Sequence, residues 1–186
     1  MNASRRGFTL VELVIVIAMI GILSAIVVPR LRVSPQTKVR QAALQLARDL
    51  EFGRTRALAT RSASRIAFST TDQTYVGYLD FDRNGVFAQS SAESDSLGGF
   101  RFRALEPGVT FGRSGSVPDL PNLAGSGTIT LPNVRIDFDT RGLTAPLATK
   151  GVIYLTSSDD ATAVAAVSIS GGAGIRAWVY RGGAWQ

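Results

Sequence analysis

From Phe8 to Val28 the chain reads FTLVELVIVIAMIGILSAIVV, with Glu12 as its one ionisable side chain. At about 1.5 Å per residue, a helix over this run is roughly 31 Å long, which matches the hydrocarbon core of a bilayer. A helix apolar on every side must be covered by lipid or by other helices, so the segment cannot be an ordinary amphipathic element of a soluble domain. The residues after Val28 suffice for one further domain with its own core. We therefore expect a membrane-anchored protein with a single extramembrane domain.

Composition narrows the chemistry. The 186 residues contain no His and no Cys, which removes imidazole proton shuttles, thiol nucleophiles, disulfides and the usual zinc ligands. No cofactor is expected. Hydrophobic residues make up 45% and charged residues 18%, so the chain has the apolar content of a folded protein rather than a disordered one. The net charge of +6 tolerates anionic partners without requiring one.

A secretory signal peptide would have a shorter apolar run ending in a small-x-small cleavage site, whereas this one ends in Val27-Val28-Pro29-Arg30. A plain signal anchor fits the length, with Arg5 and Arg6 retained in the cytoplasm. Arg30, Arg32, Lys38 and Arg40 beyond the far end make the charge rule ambiguous. Neither explanation accounts for Glu12, because an unpaired carboxylate inside a membrane costs on the order of a few kcal/mol near the centre. A cut between Gly7 and Phe8 would create an α-amine four residues before Glu12, at the same depth. The two charges could then neutralise each other within one chain or between neighbouring helices. The alternative is that Glu12 simply snorkels to the headgroups.

The stretch Arg5-Arg6-Gly7-Phe8-Thr9-Leu10-Val11-Glu12-Leu13, followed by the apolar run, resembles the class III leader of type IV pilins and pseudopilins. The resemblance implies cytoplasmic cleavage after Gly7 by prepilin peptidase and N-methylation of the new first residue, Phe8. It also implies an assembly role for Glu12, paired with the N-terminal amine of a neighbouring subunit. Pro29 falls where these proteins commonly carry a helix-disturbing proline. The implied location is the bacterial inner membrane, single-pass, with a periplasmic C-terminal domain that joins a filament after assembly.

Beyond the membrane segment, Pro29 lacks a backbone donor and crowds the carbonyl of Ala25, which predicts a kink there and a hinge over 29–35. A stem helix is predicted from near Pro35 to about Ala63. Val39, Ala43, Leu46 and Leu50 share one face at the spacing a core-packing helix needs. Its basic residues Lys38, Arg40, Arg48, Arg54, Arg56 and Arg61 point mostly elsewhere, and Gly53 would permit close packing. After Ser64 the pattern changes to period two, with candidate strands at Arg65–Ser69, Tyr75–Asp82, Phe100–Leu105, Val109–Gly112, Thr128–Leu131, Val134–Asp139, Val152–Thr156, Ala163–Ser170 and Ile175–Arg181. Segments 89–99 and 113–127 read as exposed loops.

The predicted fold class is thus α+β: a long N-terminal helix, transmembrane then amphipathic, packed on an antiparallel β domain. The divisions are leader 1–7, membrane helix 8–28, hinge and stem 29–64, and β domain 65–186. The arrangement resembles the H-type minor pseudopilins of type II secretion and their FimT-like relatives. The resembling pieces are Arg56-Ala-Leu-Ala at the end of the stem, the Asp80-Phe-Asp82-Arg-Asn84-Gly85 turn, Ile136-Asp137-Phe138 followed by Gly142, and Val167-Ser168-Ile169-Ser170. The implied partners are other pilins or pseudopilins, prepilin peptidase and inner-membrane lipid.

Three further patterns have competing explanations. Asp80, Asp82 and Asn84 with Gly85 copy the first half of a calcium loop, but Ser91 stands where the bidentate acid belongs, so an Asn-Gly hairpin turn is the simpler expectation. Arg176 and Arg181 among Trp178, Tyr180 and Trp185 suggest nucleic acid. The DNA-binding FimT-like relatives carry Gly-Arg-x-Arg, however, and the matching stretch here is Gly174-Ile175-Arg176-Ala177. Trp178 and Tyr180 share a strand face, which favours sheet packing. Asp137 and Asp139 also share a strand face, as a glycosidase pair could, although two acids so spaced recur by chance. The chain is expected to be a substrate of processing rather than an enzyme.

Overall fold

The computed structural model describes residues 8–30, 34–87, 103–123, 125 and 127–186, with side chains left out at 26–30. The chain divides into two compact units, Met1–Ser34 and Pro35–Gln186. The first holds helix α1 (Leu10–Arg30). Among the described residues, the second holds helix α2 (Pro35–Thr60) and ten strands, β1 (Ser64–Ser69), β2 (Thr74–Leu79), β3 (Arg103–Ala104), β4 (Val109–Phe111), β5 (Arg135–Phe138), β6 (Thr144–Ala145), β7 (Gly151–Ser157), β8 (Val164–Ile169), β9 (Ile175–Arg181) and β10 (Ala184–Trp185).

The strands form two antiparallel sheets, ordered β3-β2-β1-β5-β6 and β10-β9-β8-β7-β4. Helix α2 packs on β7, β8 and β9 of the second sheet and on β1 of the first. Its buried apolar row is Val39, Ala42, Ala43, Leu46, Leu50, Gly53 and Ala57, which includes the four residues predicted from spacing, Val39, Ala43, Leu46 and Leu50. This row, with Ile66, Phe68 and Tyr75 of the first sheet and Ile153, Leu155, Ala165 and Val167 of the second, makes one core. β1 alternates buried and half-buried residues because one of its faces meets that core. β8 is buried at all six positions, because α2 covers one face and a second cluster of Leu120, Val152, Tyr154 and Ala166 lies on the other.

Close approach explains Gly53. A Cβ there would lie 2.8 Å from Ile66 Cδ1, and the carbonyl of Gly53 accepts a 3.0 Å hydrogen bond from Ser64 Oγ. The helix therefore sits close on β1 at residue 53, where a side chain would have to displace the end of Ile66.

Several expectations are corrected. β2 ends at Leu79, not Asp82, and pairs with β1 and β3, so Asn84-Gly85 turns the chain without closing a two-residue hairpin. Segment 128–131 forms only an isolated bridge, Ile129 to Ile153, because the Thr130 hydroxyl takes the N–H of Val152 at 2.8 Å in place of a regular ladder. The loop at 113–127 is not simply exposed: Val117 and Leu120 are buried. It is tied to the second sheet by the Leu120 N–H donating to Tyr154 Oη at 3.0 Å, by Trp185 Nε1 donating to the Pro118 carbonyl at 3.1 Å, and by Arg113, ion-paired with Asp119 within the loop, lying 4.8 Å over the Tyr154 ring. The short strands β6 and β10 were not anticipated, being two residues each. Segment 89–99 and the first residues of the strand predicted at 100–105 lie outside the described residues.

Candidate functional site

Thr9 caps α1. Its hydroxyl accepts the backbone N–H of Glu12 at 3.2 Å, and its carbonyl accepts that of Leu13 at 3.2 Å. Glu12 is therefore the third residue of the helix, the position where a carboxylate complements both the unpaired N–H groups and the positive end of the helix dipole. The Thr-x-x-Glu spacing is a capping-box pattern that the sequence displayed and the reading of Glu12 passed over. Phe8 is 80% exposed and Leu10 78%, and every residue of α1 with a described side chain is exposed, on all sides of the helix. Such a surface requires apolar surroundings. Among the described residues no helix is long and apolar enough to cross a membrane. Gly7 and the rest of the leader lie outside the described residues.

α1 remains helical through Pro29 to Arg30, and α2 opens on Pro35. Pro35 occupies the first helical position, as expected from the sequence, where a missing N–H costs nothing and the fixed φ favours initiation.

In the second unit, one polar cluster on the buried side of α2 escaped sequence reasoning. Asp49 is 6% exposed. Its Oδ2 accepts a 2.5 Å hydrogen bond from Tyr75 Oη of β2, and its Oδ1 accepts one of 2.9 Å from Gln45 Nε2. Arg103 of β3 brings its Nε to 2.8 Å from Oδ2, an ion pair whose N–H is not aimed along the contact. Burial, and then the hydrogen bond to Asp49, push the Tyr75 phenol well above its ordinary pKa, so it remains a donor throughout the physiological range. The available signal was an acid one position from Leu50 on the apolar face of a predicted helix.

The acids considered for catalysis are committed to structure. Asp137 receives both Arg65 Nε and Nη2 at 2.7 Å, a bidentate pair between strands held in register, with Arg65 opposite Asp137. Asp139 organises the next turn, accepting the N–H groups of Arg141 at 2.8 Å and Leu143 at 2.9 Å. That turn presents Gly142, at φ +67°, to α2, where its carbonyl accepts Arg54 Nε at 3.0 Å. The family-resembling glycine is therefore a docking point for the stem.

The Asp80 carboxylate accepts the N–H groups of Asn84 and Gly85, both at 3.0 Å, while Asp82 takes the side chain of Asn84 at 2.7 Å. These oxygens are used in holding a turn. Among the described residues no group of three or more acids gathers in a metal-holding arrangement. At the C-terminal end, Trp178 Nε1 donates to Ser168 Oγ at 2.8 Å, Arg176 lies 5.0 Å over the Trp178 ring, and Tyr180 packs edge-on to Trp185 at 5.3 Å. Trp178 and Trp185 belong to the second cluster, so the aromatic residues pack the sheet as their shared face suggested.

The model of the prokaryotic N-terminal methylation motif matches residues 2–28. No curated protein matches the sequence. Among solved structures, the type IV minor pilin FimU of Pseudomonas aeruginosa is similar at 15% identity and a TM-score of 0.50, over 80% of this chain and 92% of that one. The minor pseudopilin EpsH from the type 2 secretion system of Vibrio cholerae is similar at 8% identity and a TM-score of 0.50, over 76% of this chain and 97% of that one. At such identities the two likenesses establish a shared fold, a helix packed on antiparallel sheet, and the motif adds the N-terminal signature. The chain thus joins an N-terminal methylation motif, opening an apolar helix, to a fold shared with minor pilins and minor pseudopilins.

Proposed function

We propose that the protein is a minor pseudopilin, a structural subunit of the periplasmic pseudopilus of a type II secretion system. The observation that carries this reading is the match of residues 2–28 to the methylation motif, immediately ahead of and within a helix apolar on all sides. In this reading prepilin peptidase cuts between Gly7 and Phe8, the amine of Phe8 is methylated, and the chain is held in the inner membrane by 8–28 with the second unit in the periplasm. The apolar helix then leaves lipid for the helical core of a filament, an exchange of one apolar solvent for another that costs little hydrophobic free energy. Glu12 and the Phe8 amine set the register of packing, because each charge in an apolar core needs the other. The second unit has no catalytic role; it presents loops to other subunits.

The equal TM-score and higher identity of FimU support a second reading, a minor pilin of a type IV pilus. Deletion of the gene separates the two. Retention of exported protein in the periplasm with intact pili supports secretion, whereas loss of surface pili with normal export supports the pilus. Mass spectrometry of the mature protein tests what both share: an N-terminus at methylated Phe8 is expected, and a chain beginning at Met1 within the filament would overturn both.

A further inference from the structure

The outer face of the second sheet, on the side away from α2, is covered by two pieces of chain that meet at one residue. The first is a strap over 113–123, rooted on β7: the Gly112 N–H donates to the Tyr154 carbonyl at 3.0 Å, and the Thr128 carbonyl accepts the Tyr154 N–H at 2.9 Å. Pro118 and Pro121, on either side of Leu120, have no backbone donor, so this stretch cannot build a sheet ladder. Side chains hold it instead. Leu120 is 1% exposed, and its N–H donates to Tyr154 Oη at 3.0 Å. The same tyrosine thus roots the strap through its backbone and holds its middle through its hydroxyl.

The second piece is β10, folded back on β9 at Gly182 and Gly183, whose φ values are +61° and +83°. Trp185 lies opposite Tyr180, and Val179 and Gln186 exchange hydrogen bonds of 2.9 and 3.0 Å. Trp185 belongs to both pieces. Its ring centre is 5.9 Å from that of Tyr154 and 5.3 Å from that of Tyr180, while its Nε1 donates to the Pro118 carbonyl at 3.1 Å.

We infer that the strap and β10 form one latch, which opens as a unit while α2 and the first sheet stay folded, and that Trp185 couples its two halves. Segments with few buried apolar contacts open locally at lower free energy than a core. The strap buries Val117 and Leu120, whereas α2 inserts a row from Val39 to Ala57. Lifting one piece alone strips Trp185 of part of its packing and separates its N–H from the Pro118 carbonyl, so each piece stabilises the other. Opening uncovers Val152, Tyr154 and Ala166, which are fully buried while the latch is shut. The device is a cover over an apolar strip, and it lies wholly within the second unit, whether or not the chain is a filament subunit.

Hydrogen exchange of the purified full-length chain in detergent, read at single amides, tests the latch. In the wild-type chain, Leu120 and Val179 should show protection within about threefold of each other, and at least about tenfold below that of Leu46 and Leu50 in α2. Trp185→Phe keeps an aromatic ring but loses the Nε1 donor, and should speed exchange at Leu120 about fivefold. Leu120→Ala should speed exchange at Val179, across the latch, by at least as much. Leu46 and Leu50 should be unchanged in both variants. A Leu120→Ala chain in which Val179 keeps its wild-type rate would separate the strap from β10 and overturn the inference. So would wild-type protection at Leu120 and Val179 equal to that at Leu46, which would make the opening global. Loss of α2 protection in Trp185→Phe would overturn it too, since Trp185 would then belong to the core rather than to a latch.

Discussion

The phenol of Tyr75 on β2 stands 2.5 Å from the Asp49 carboxylate on α2, with both groups nearly sealed from solvent. Strand β2 lies in the sheet that carries Arg103 on β3, so this contact and the Arg103 ion pair fasten the stem helix to the first sheet. A hydrogen bond to a charged group is worth about 1.5–3 kcal/mol, and a buried charge stripped of its partners costs more than the pair contributes. Removing the phenol and removing the carboxylate should therefore differ in size and reveal the direction of dependence.

Tyr75→Phe is expected to destabilise the protein by about 2 kcal/mol, since Asp49 keeps Gln45 and Arg103. Asp49→Ala should cost more, because it removes the acceptor of two buried hydrogen bonds and the counter-charge of Arg103. Urea unfolding of both variants measures the order, and a smaller loss for Asp49→Ala would refute the cluster as a lock.

Gly142→Ala and Gly53→Ala should diverge. At Gly142 the φ of +67° strains any L side chain by roughly 1–2 kcal/mol, while the Leu58 side chain that a Cβ would strike at 2.7 Å is exposed and can turn away. Leu58→Ala should consequently rescue little of that loss. At Gly53 the clash is with Ile66, which is fully buried; overpacking of about 1–3 kcal/mol is offset by about 1 kcal/mol of helix propensity. Ile66→Val should recover much of the Gly53→Ala loss. A double-mutant cycle for each pair checks the contrast.

The Asp139 turn should be acid-sensitive. Slight burial opposes its charged form, but hydrogen bonds from the Leu143 N–H and from Arg141, together with the Arg141 charge, outweigh it and hold the carboxyl below the ordinary carboxylate range. A lowered folded-state pKa contributes stability that is complete above the unfolded value of about 3.9 and is lost as pH falls through the folded value. Chemical shifts of Leu143 and Gly142 amides should follow that titration, and Asp139→Asn should abolish the response. Retention of the response in Asp139→Asn would assign it to another acid.

Glu12 has two candidate roles, and they separate by substitution. If the carboxylate pairs with a neighbouring amine, Glu12→Gln reduces incorporation into filaments, while Thr9→Ala, which removes a cap worth about 1 kcal/mol, leaves incorporation near normal. That pattern is expected, read by quantifying the subunit in sheared or purified filaments. Equal loss in both variants would reduce Glu12 to a helix-capping residue.

The stem helix was legible because its periodicity reports directly on burial: Val39, Ala43, Leu46 and Leu50 recur at helical spacing, and all four are fully buried. The N-terminal segment was legible for a related reason, since a continuous apolar run has few physical environments open to it. Most strands were readable from alternation, with ends misjudged where a side chain takes a backbone group, as Thr130 does with the Val152 N–H and Asp80 with those of Asn84 and Gly85. The roles of Asp49, Asp137 and Gly142 were not readable. Each depends on a residue distant along the chain, Tyr75, Arg65 and Leu58 respectively, and nothing local reveals which distant group will arrive.

The order of apolar and polar residues by itself determined a helix that must leave water and a second helix with one dry side, because local periodicity fixes which faces seek burial. Only the tertiary structure decided which charges are satisfied inside, which glycines are points of contact, and which arginines on α2 remain facing outward. Those outcomes depend on long-range pairing of strands, whose partners a one-dimensional pattern does not specify.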